Sequence, residues 1–301
     1  MDRENRAAGC LLGLACGDAL GRPVEFDSPA TIEREHGRLT EMVGYGTWNK
    51  PAGTVTDDTD QALCIARSLT ECGEWDPADV AGRFVAWYES GPFDVGLMTA
   101  DAIERLEAGE AWDVAGQTVW ERRPEGSNAG NGSVMRTPPI AVAFPEDHER
   151  RRTASRESSL ITHADPRCVE GCAVLNETIA GYLRGEAAPL ETALDTLDLP
   201  DELEAALAPV AAGETTALDP TGYVVDTLQV ALHDALQADS AEAAIVTAVN
   251  RGGDTDTVGA VTGAVAGARF GADALPDRWL EAIDETDELD RLARELLEVT
   301  P

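Results

Sequence analysis

Glycine recurs at every fourth position in two apolar segments that lie near opposite ends of this 301-residue chain. The glycines are Gly9, Gly13, Gly17, Gly21, Gly259, Gly263, Gly267 and Gly271. This spacing places each set on one face of an α-helix, where a glycine costs about 1 kcal/mol relative to alanine. Close contact between the two helix backbones would offset that cost and would bring Asp18 and Glu25 close to the acidic segment 254–257. In a chain rich in small residues, the same spacing can also arise by chance.

Apolar residues at helical spacing dominate the sequence from end to end, and alternating strand patterns are nearly absent. The pattern predicts helices over residues 3–20, 57–72, 77–90, 95–108, 133–143, 149–161, 166–184, 222–238, 241–250, 256–270 and 287–299, with shorter ones near 29–36 and 189–209. A short extended stretch could lie within 39–55. Because no segment is rich enough in Gly or Ser to act as a linker, we expect a single all-α domain over 1–301.

The charge balance is strongly acidic, with 56 Asp and Glu against 23 Lys and Arg and a net charge of −33. Lys50 is the only lysine. This composition is typical of a cytoplasmic protein adapted to high salt, where screening reduces self-repulsion. It disfavours nucleic acid and anionic membranes as partners. No apolar run reaches the roughly 18 residues of a membrane span, and charged residues follow Met1 directly, so we expect a cytoplasmic protein.

Two acidic segments, 56–59 and 254–257, each begin a predicted helix and combine Asp with Thr. Carboxylate and hydroxyl oxygens without His or Cys suit hard divalent cations. Asp and Thr are also ordinary helix caps, and an acidic chain contains many such pairs. If the two segments meet, however, their four carboxylates would repel one another, and two divalent ions would relieve that repulsion. The sequence therefore predicts a two-metal centre where they meet.

Several other segments offer groups for a ligand. The glycine-rich segment 126–133 presents backbone N–H groups ahead of a predicted helix and could hold a phosphate, although it lacks the spacing and lysine of a P-loop and could be a flexible surface loop. His163 could contact a ligand or serve as a structural imidazole. Glu25 lies in a loop where it could reach over a site or remain an exposed acid, and Asp94 lies at a predicted helix start, where capping is the simpler role.

Taken in chain order, these segments resemble the ADP-ribosylglycohydrolase family, which includes the dinitrogenase reductase-activating glycohydrolase of bacteria and the ADP-ribosyl-acceptor hydrolases of animals. The matching segments are 13–21 with Glu25, 54–59, 93–96, 130–136, 162–165 and 252–257. The resemblance implies a compact orthogonal multi-helix bundle with two Mg²⁺ or Mn²⁺ ions in a central cleft.

The resemblance also implies roles for individual residues. The metal ligands would be Thr56, Asp57, Asp58, Asp254, Asp256 and Thr257. Glu25 would be a mobile acid near the metals, and Asp94 would be the carboxylate suspected of acid–base work. The ADP-ribose would contact Asn131, Gly132, Ser133 and His163.

The implied activity is hydrolysis of the glycosidic bond between ADP-ribose and an acceptor, which could be a protein side chain such as arginine or a small ADP-ribosyl compound. A metal-dependent phosphohydrolase could use the same carboxylates on a phosphate ester. A third alternative is a non-catalytic relative that binds ADP-ribose or has a structural role, although the presence of all six implied ligands argues against it. Residues 185–220 match no family motif and could set acceptor preference.

Overall fold

The computed structural model describes residues 1–214 and 217–299, and within them the chain forms sixteen α-helices and three short 3-10 turns. The helices are α1 (Arg3–Gly21), α2 (Pro29–His36), α3 (Asp57–Cys72), α4 (Pro77–Glu89), α5 (Leu97–Glu107), α6 (Trp112–Arg122), α7 (Pro138–Ala143), α8 (His148–Leu160), α9 (Pro166–Arg184), α10 (Pro189–Thr196), α11 (Asp201–Ala211), α12 (Val224–Gln237), α13 (Ala241–Val249), α14 (Thr255–Phe270), α15 (Asp277–Leu280) and α16 (Thr286–Leu296). The predicted all-α class is confirmed.

Side-chain caps define where several helices begin. Asp76 accepts hydrogen bonds from the backbone N–H groups of Ala78 and Asp79, and Asp165 accepts one from Arg167. In both cases a proline follows the cap at the first helical position, where its missing N–H removes no helical hydrogen bond. These local signals explain why α4 and α9 begin where the sequence predicts.

The two glycine-bearing helices, α1 and α14, pack against each other in antiparallel directions through their glycine faces. Gly13 lies against the backbone of Gly263, and Gly17 lies against that of Gly259. A Cβ atom added at any of these four positions would overlap the opposite backbone. The predicted close approach is confirmed, and it joins the C-terminal end of α1 to the N-terminal end of α14, where the Thr255 hydroxyl donates a 2.8 Å hydrogen bond to the Gly21 carbonyl.

This helix pair lies at the centre of the molecule. Every residue of α14 from Thr255 to Ala268 is buried, as expected for a helix that other helices surround on all sides. The largest apolar cluster combines side chains from α1, α3, α9, α12, α13, α14 and α16. The central position of this pair places the acidic start of α14, with Thr255 and Asp256 buried, in the interior of the molecule.

Some predicted elements differ from the structure. Helix α6 was not predicted, because its buried face consists of Ala115, Gly116 and Val119, which give a weak apolar pattern. The helix predicted over 133–143 begins only at Pro138, and the one near 189–209 is two helices, α10 and α11. Among the described residues, β pairing is limited to two isolated bridges, one of them between Tyr45 and Lys50 in the stretch predicted to be extended.

Within the described part of the chain, no helix combines the length and apolar character needed to cross a bilayer.

Candidate metal centre and active site

A cavity of about 580 Å³ lies where the N-terminal ends of α3, α5 and α14 come together. Helix N-termini carry partial positive charge and free N–H groups, so three of them make the site favourable for carboxylates and anionic ligands. Nine of the twelve predicted site residues line the cavity: Glu25, Asp57, Asp94, Asn131, Gly132, His163, Asp254, Asp256 and Thr257. The acidic segments from the two ends of the chain thus share one cleft, as predicted.

Three carboxylates from opposite ends of the chain form a close cluster on one side of this cavity. One oxygen from each of Glu25, Asp254 and Asp256 can be chosen so that all three lie within 4.8 Å of one another. The backbone places them there. The Phe26 N–H donates to the Gly253 carbonyl at 2.7 Å, so the loop after α1 is pinned against the turn that precedes α14.

Glu25 is buried and its pKa is raised to about 7, first by burial and then by the nearby charges of Asp254 and Asp57, although a hydrogen bond from the indole of Trp48 opposes the rise. Burial followed by the charges of Glu25 and Asp254 raises the pKa of Asp256 well above its usual value. A cation at this cluster would remove the repulsion that these shifts reflect.

The first turn of α3 supplies two further buried carboxylates. Burial, followed by repulsion from neighbouring carboxylates, raises the pKa of both Asp57 and Asp58 well above the usual value. Oδ1 of Asp58 is buried and has no hydrogen-bond partner among the described residues. An unsatisfied buried carboxylate oxygen is rare in native proteins. The orphaned oxygen and the crowded carboxylates therefore fit hard divalent cations, which bind oxygen ligands.

Thr56 and Asp58 do not line the cavity wall but lie directly behind it. The Thr56 hydroxyl lies 3.2 Å from Oδ2 of Asp58 and 3.0 Å from Oδ1 of Asp18. Asp18 also accepts hydrogen bonds from the backbone N–H of Thr56 and from the N–H and hydroxyl of Thr59. Its pKa is raised to about 6 because burial outweighs these bonds. Asp18 therefore holds the start of α3 in place, a role that the sequence did not suggest.

The glycine-rich segment 126–133 contacts the acidic cluster through Asn131. The Asn131 amide donates to Oδ2 of Asp254 at 2.8 Å and to the Thr227 hydroxyl at 3.0 Å. The Ser133 hydroxyl instead lies 2.9 Å from Ser159, is fully buried and does not line the cavity. Substrate contact by Ser133 therefore stays a prediction.

His163 lies with its ring against the same segment. A Cβ atom at Gly132 would lie 2.9 Å from Cε1 of His163, so a larger residue at position 132 would displace the ring. Nδ1 of the ring is 2.7 Å from the Thr162 hydroxyl. Burial, together with the positive charges of Arg136 and Arg123, lowers the pKa of His163 to about 3. The imidazole is therefore neutral at physiological pH.

Comparison with known proteins identifies the chain. The model of the ADP-ribosylglycohydrolase family matches residues 1–301. The chain belongs to this family. It is 35% identical over 287 residues to the ADP-ribosyl-dinitrogen reductase glycohydrolase of Rhodospirillum rubrum, with 93% of this chain and 91% of that protein covered.

It is 33% identical to an ADP-ribosylarginine hydrolase of Pseudomonas putida, over 99% of this chain and 79% of that protein. The solved structure of an ADP-ribosylglycohydrolase-related protein complex superposes with a TM-score of 0.84 at 34% identity and covers 100% of this chain and 99% of that one. The protein is therefore an enzyme that hydrolyses a glycosidic bond of ADP-ribose. This result favours the glycosidase over the phosphohydrolase and the non-catalytic alternatives.

In this glycohydrolase, Asp94 lies just before α5 on the cavity wall. Its pKa is raised to about 7, first by burial and then by the charges of Glu25, Asp18 and Asp254. A carboxyl group with a pKa near 7 can hold or release a proton at neutral pH, which general acid–base catalysis requires.

The mouth of the glycohydrolase cavity carries a rim of apolar side chains that sequence reasoning missed. Phe26 and Leu97 line it and are 70% and 76% exposed. Trp48 also lines it, and its ring packs 5.8 Å from that of Phe93, centroid to centroid. Tyr223 lines the cavity too, and its hydroxyl accepts a 2.8 Å hydrogen bond from Arg167. In a chain with only 5% aromatic residues, the position of Phe26 and Trp48 outside the predicted helices was the available signal.

Proposed function

We propose that this glycohydrolase removes ADP-ribose from an arginine side chain, with two divalent ions, Mg²⁺ or Mn²⁺, held in the cleft. One observation carries the acceptor assignment. Among the described residues that line the cavity there are five carboxyl groups and no Lys or Arg. A guanidinium acceptor is a cation, and the two lining carboxyl groups outside the proposed ligand set, Glu25 and Asp94, would attract it when ionised. The relatives named as an ADP-ribosylarginine hydrolase and a dinitrogen reductase glycohydrolase support the same class of substrate, an ADP-ribosylated protein or arginine compound.

The residues that would hold the ions are the ones that the family resemblance implies: Thr56, Asp57, Asp58, Asp254, Asp256 and Thr257. Among them, Oδ1 of Asp58 is buried without a hydrogen-bond partner in the described part of the chain. When bound, divalent ions would act as Lewis acids on oxygen atoms of the substrate. Glu25 lies close to Asp254 and Asp256 and adds a third carboxylate to that cluster.

Asp94 and Glu25 would carry the proton transfers. Hydrolysis breaks the bond between C1″ of the ribose and a guanidino nitrogen, adds the water oxygen to C1″ and returns a proton to the nitrogen. A group with a pKa near 7 can accept the proton of the water and deliver one to the leaving nitrogen. Both carboxyl groups line the same cavity, and burial is the first cause that raises the pKa of each, to about 7.

The ADP-ribose would contact Asn131, Gly132 and Ser133 together with His163. A pyrophosphate needs hydrogen-bond donors, and backbone N–H groups provide them without adding charge. Gly130 and Gly132 line the cavity beside the neutral ring of His163, where backbone can approach a ligand closely. In an acidic cleft, this side offers the donors that the opposite wall lacks.

Product analysis tests this proposal. The enzyme, kept at high salt with Mg²⁺ or Mn²⁺, is incubated with peptides ADP-ribosylated on arginine or on serine and with a simple phosphate monoester. We expect release of ADP-ribose from the arginine peptide and none from the monoester. Asp256→Ala should abolish release while circular dichroism retains the helical signal. Release from the serine peptide alone would refute the acceptor assignment, and full activity of Asp256→Ala would refute the metal assignment.

A further inference from the structure

Arg136 is a fully buried cation that lies behind the cavity wall, between the start of α3 and the turn that carries His163. Its Cζ lies 4.4 Å from the centroid of the Phe84 ring. Burial lowers its pKa to about 10, so it remains protonated at neutral pH. Its hydrogen bonds go to Gln61, Ser158 and Thr162, which are all neutral acceptors. Among the described residues Arg136 has no bond to a carboxylate, and a buried charge without such a partner is costly.

One side of the guanidinium points toward the metal-binding side of the cleft. Nη1 of Arg136 donates to Oε1 of Gln61 at 2.6 Å. Because a guanidinium can only donate, the oxygen of the Gln61 amide must face Arg136 and the NH₂ group must face away. That NH₂ group lies 3.3 Å from Oδ2 of Asp57 and donates to it. Arg136 therefore determines which end of the Gln61 amide meets Asp57.

The other side points toward the substrate-binding side. Nη2 of Arg136 donates to the Thr162 hydroxyl oxygen at 2.7 Å and to the Ser158 carbonyl at 3.2 Å. The Thr162 hydroxyl already accepts from Arg136, so its own proton is available to Nδ1 of His163, 2.7 Å away. A neutral imidazole that accepts at Nδ1 carries its proton on Nε2. The Nε2 edge faces the cavity-lining glycines Gly130 and Gly132.

We propose that Arg136 is a positioning residue that sets the direction of hydrogen bonding on both sides of the cleft. Through Gln61 it holds the Asp57 carboxylate in one orientation. Through Thr162 it fixes His163 as the Nε2–H tautomer, a donor on the cavity wall. The part that concerns Asp57 rests on the proposed function, because it assumes that Asp57 binds a metal ion, whereas the part that concerns His163 does not.

A crossed set of variants separates the two branches. Gln61→Met removes the link to Asp57 alone, and Thr162→Val removes the link to His163 alone. Arg136→Lys removes both, because a lysine ammonium lacks the rigid fork that reaches two partners on opposite sides. Calorimetry measures the affinity for Mn²⁺. Nitrogen NMR of protein labelled in its four histidines measures the tautomer, with the His163 signals assigned by their loss in His163→Asn.

We expect Gln61→Met to weaken Mn²⁺ binding by about 10- to 100-fold, the usual effect of removing a partner of a metal ligand, and to leave the His163 tautomer unchanged. Thr162→Val should leave the Mn²⁺ affinity unchanged and allow the Nδ1–H tautomer to appear. Arg136→Lys should change both measurements.

Arg151→Lys is the matched control, since Arg151 is equally buried but bonds to Glu177, outside the cleft. It should lower stability and change neither measurement. Unchanged Mn²⁺ affinity in Gln61→Met, or an unchanged Nε2–H tautomer in Thr162→Val, would overturn the inference. These two variants test the inference even if Arg136→Lys does not fold. If the unmodified protein takes up no Mn²⁺, the proposed function fails while the tautomer comparison still tests the role of Arg136.

Discussion

The side-chain amide of Asn131 donates a 2.8 Å hydrogen bond to Oδ2 of Asp254 and so joins the glycine-rich segment to the acidic start of α14. The amide also donates to Thr227, which orients its oxygen away from Asp254. Such partners hold a ligand carboxylate in the geometry that a metal ion needs. The family resemblance implies that Asn131 contacts the substrate. The structure shows that it also donates a hydrogen bond to Asp254, one of the proposed metal ligands.

Asn131→Ala should weaken Mn²⁺ binding by about 10- to 100-fold, because the Asp254 carboxylate loses the group that orients it. Titration calorimetry measures the effect, and far-UV circular dichroism checks that the helices are retained. Asn128→Ala changes a neighbouring amide that does not line the cavity and should leave the affinity unchanged. Equal Mn²⁺ affinity in Asn131→Ala and the unmodified enzyme would show that the bond to Asp254 does not contribute.

Asp58 and Asp60 lie in the same turn of α3 but face different surroundings. Oδ1 of Asp58 has no partner among the described residues, whereas Oδ2 of Asp60 accepts a 2.9 Å bond from the Trp87 indole. If Asp58 binds an ion, Mn²⁺ at 100 times the dissociation constant of that site should raise the free energy of unfolding of the unmodified protein by about 2.7 kcal/mol for that ion. Urea unfolding with Mn²⁺ or with a chelator measures this gain. Asp58→Asn should lose most of it and Asp60→Asn should keep it; a full gain in Asp58→Asn would remove Asp58 from the ligand set.

The glycine faces of α1 and α14 leave no room for side chains. Gly13→Ala should destabilise the protein by about 3 kcal/mol or more, because the new methyl group would overlap the backbone of Gly263 and overpacked cores relax only at a cost. Gly82→Ala, in the exposed face of α4 with nothing within 4 Å of the added carbon, should instead stabilise by about 0.5–1 kcal/mol through helix propensity. Urea unfolding of both variants at the same salt concentration measures the contrast, and similar stabilities would contradict the packing.

Local periodicity made the centre of the fold predictable. Each acidic segment lies within about one helical turn, and each glycine stripe lies along one face of a single helix. The packing of α1 on α14 then brings the acidic segments into a shared cleft. Helix α6 was missed because its buried face includes the small residues Ala115 and Gly116, while the apolar Val114 is exposed. Where buried positions are small, helical pattern alone carries little information about a helix.

The surroundings of the site were less predictable, because they depend on contacts between distant residues. Gln61 lies four residues after Asp57, so a shared helix face could be expected. Its orientation, however, is set by Arg136, a residue that only tertiary packing brings near. Likewise, nothing in the local sequence of Asp18 indicates that it accepts hydrogen bonds from Thr56 and Thr59.

His163 should make the stability of the protein depend on pH. Its pKa is about 3 in the folded state, owing first to burial, against about 6.5 in an unfolded chain. Below pH 6.5 the unfolded state therefore binds a proton at this site that the folded state does not, and the contribution of His163 to stability falls as the pH falls. The loss should be about 1.4 kcal/mol per pH unit between pH 6.5 and 3.

Urea unfolding of His163→Asn and of the unmodified protein, with a chelator present at pH 7.5, 6.0 and 5.0, measures this dependence. The difference in the free energy of unfolding should shift in favour of His163→Asn as the pH falls, because the variant has no imidazole to protonate on unfolding. Titration of the clustered carboxylates is common to both proteins and cancels in the difference. For His36→Asn, which removes an exposed imidazole, the free energy of unfolding should change with pH in parallel with that of the unmodified protein. A parallel pH dependence for His163→Asn would mean that burial does not oppose protonation of the His163 ring.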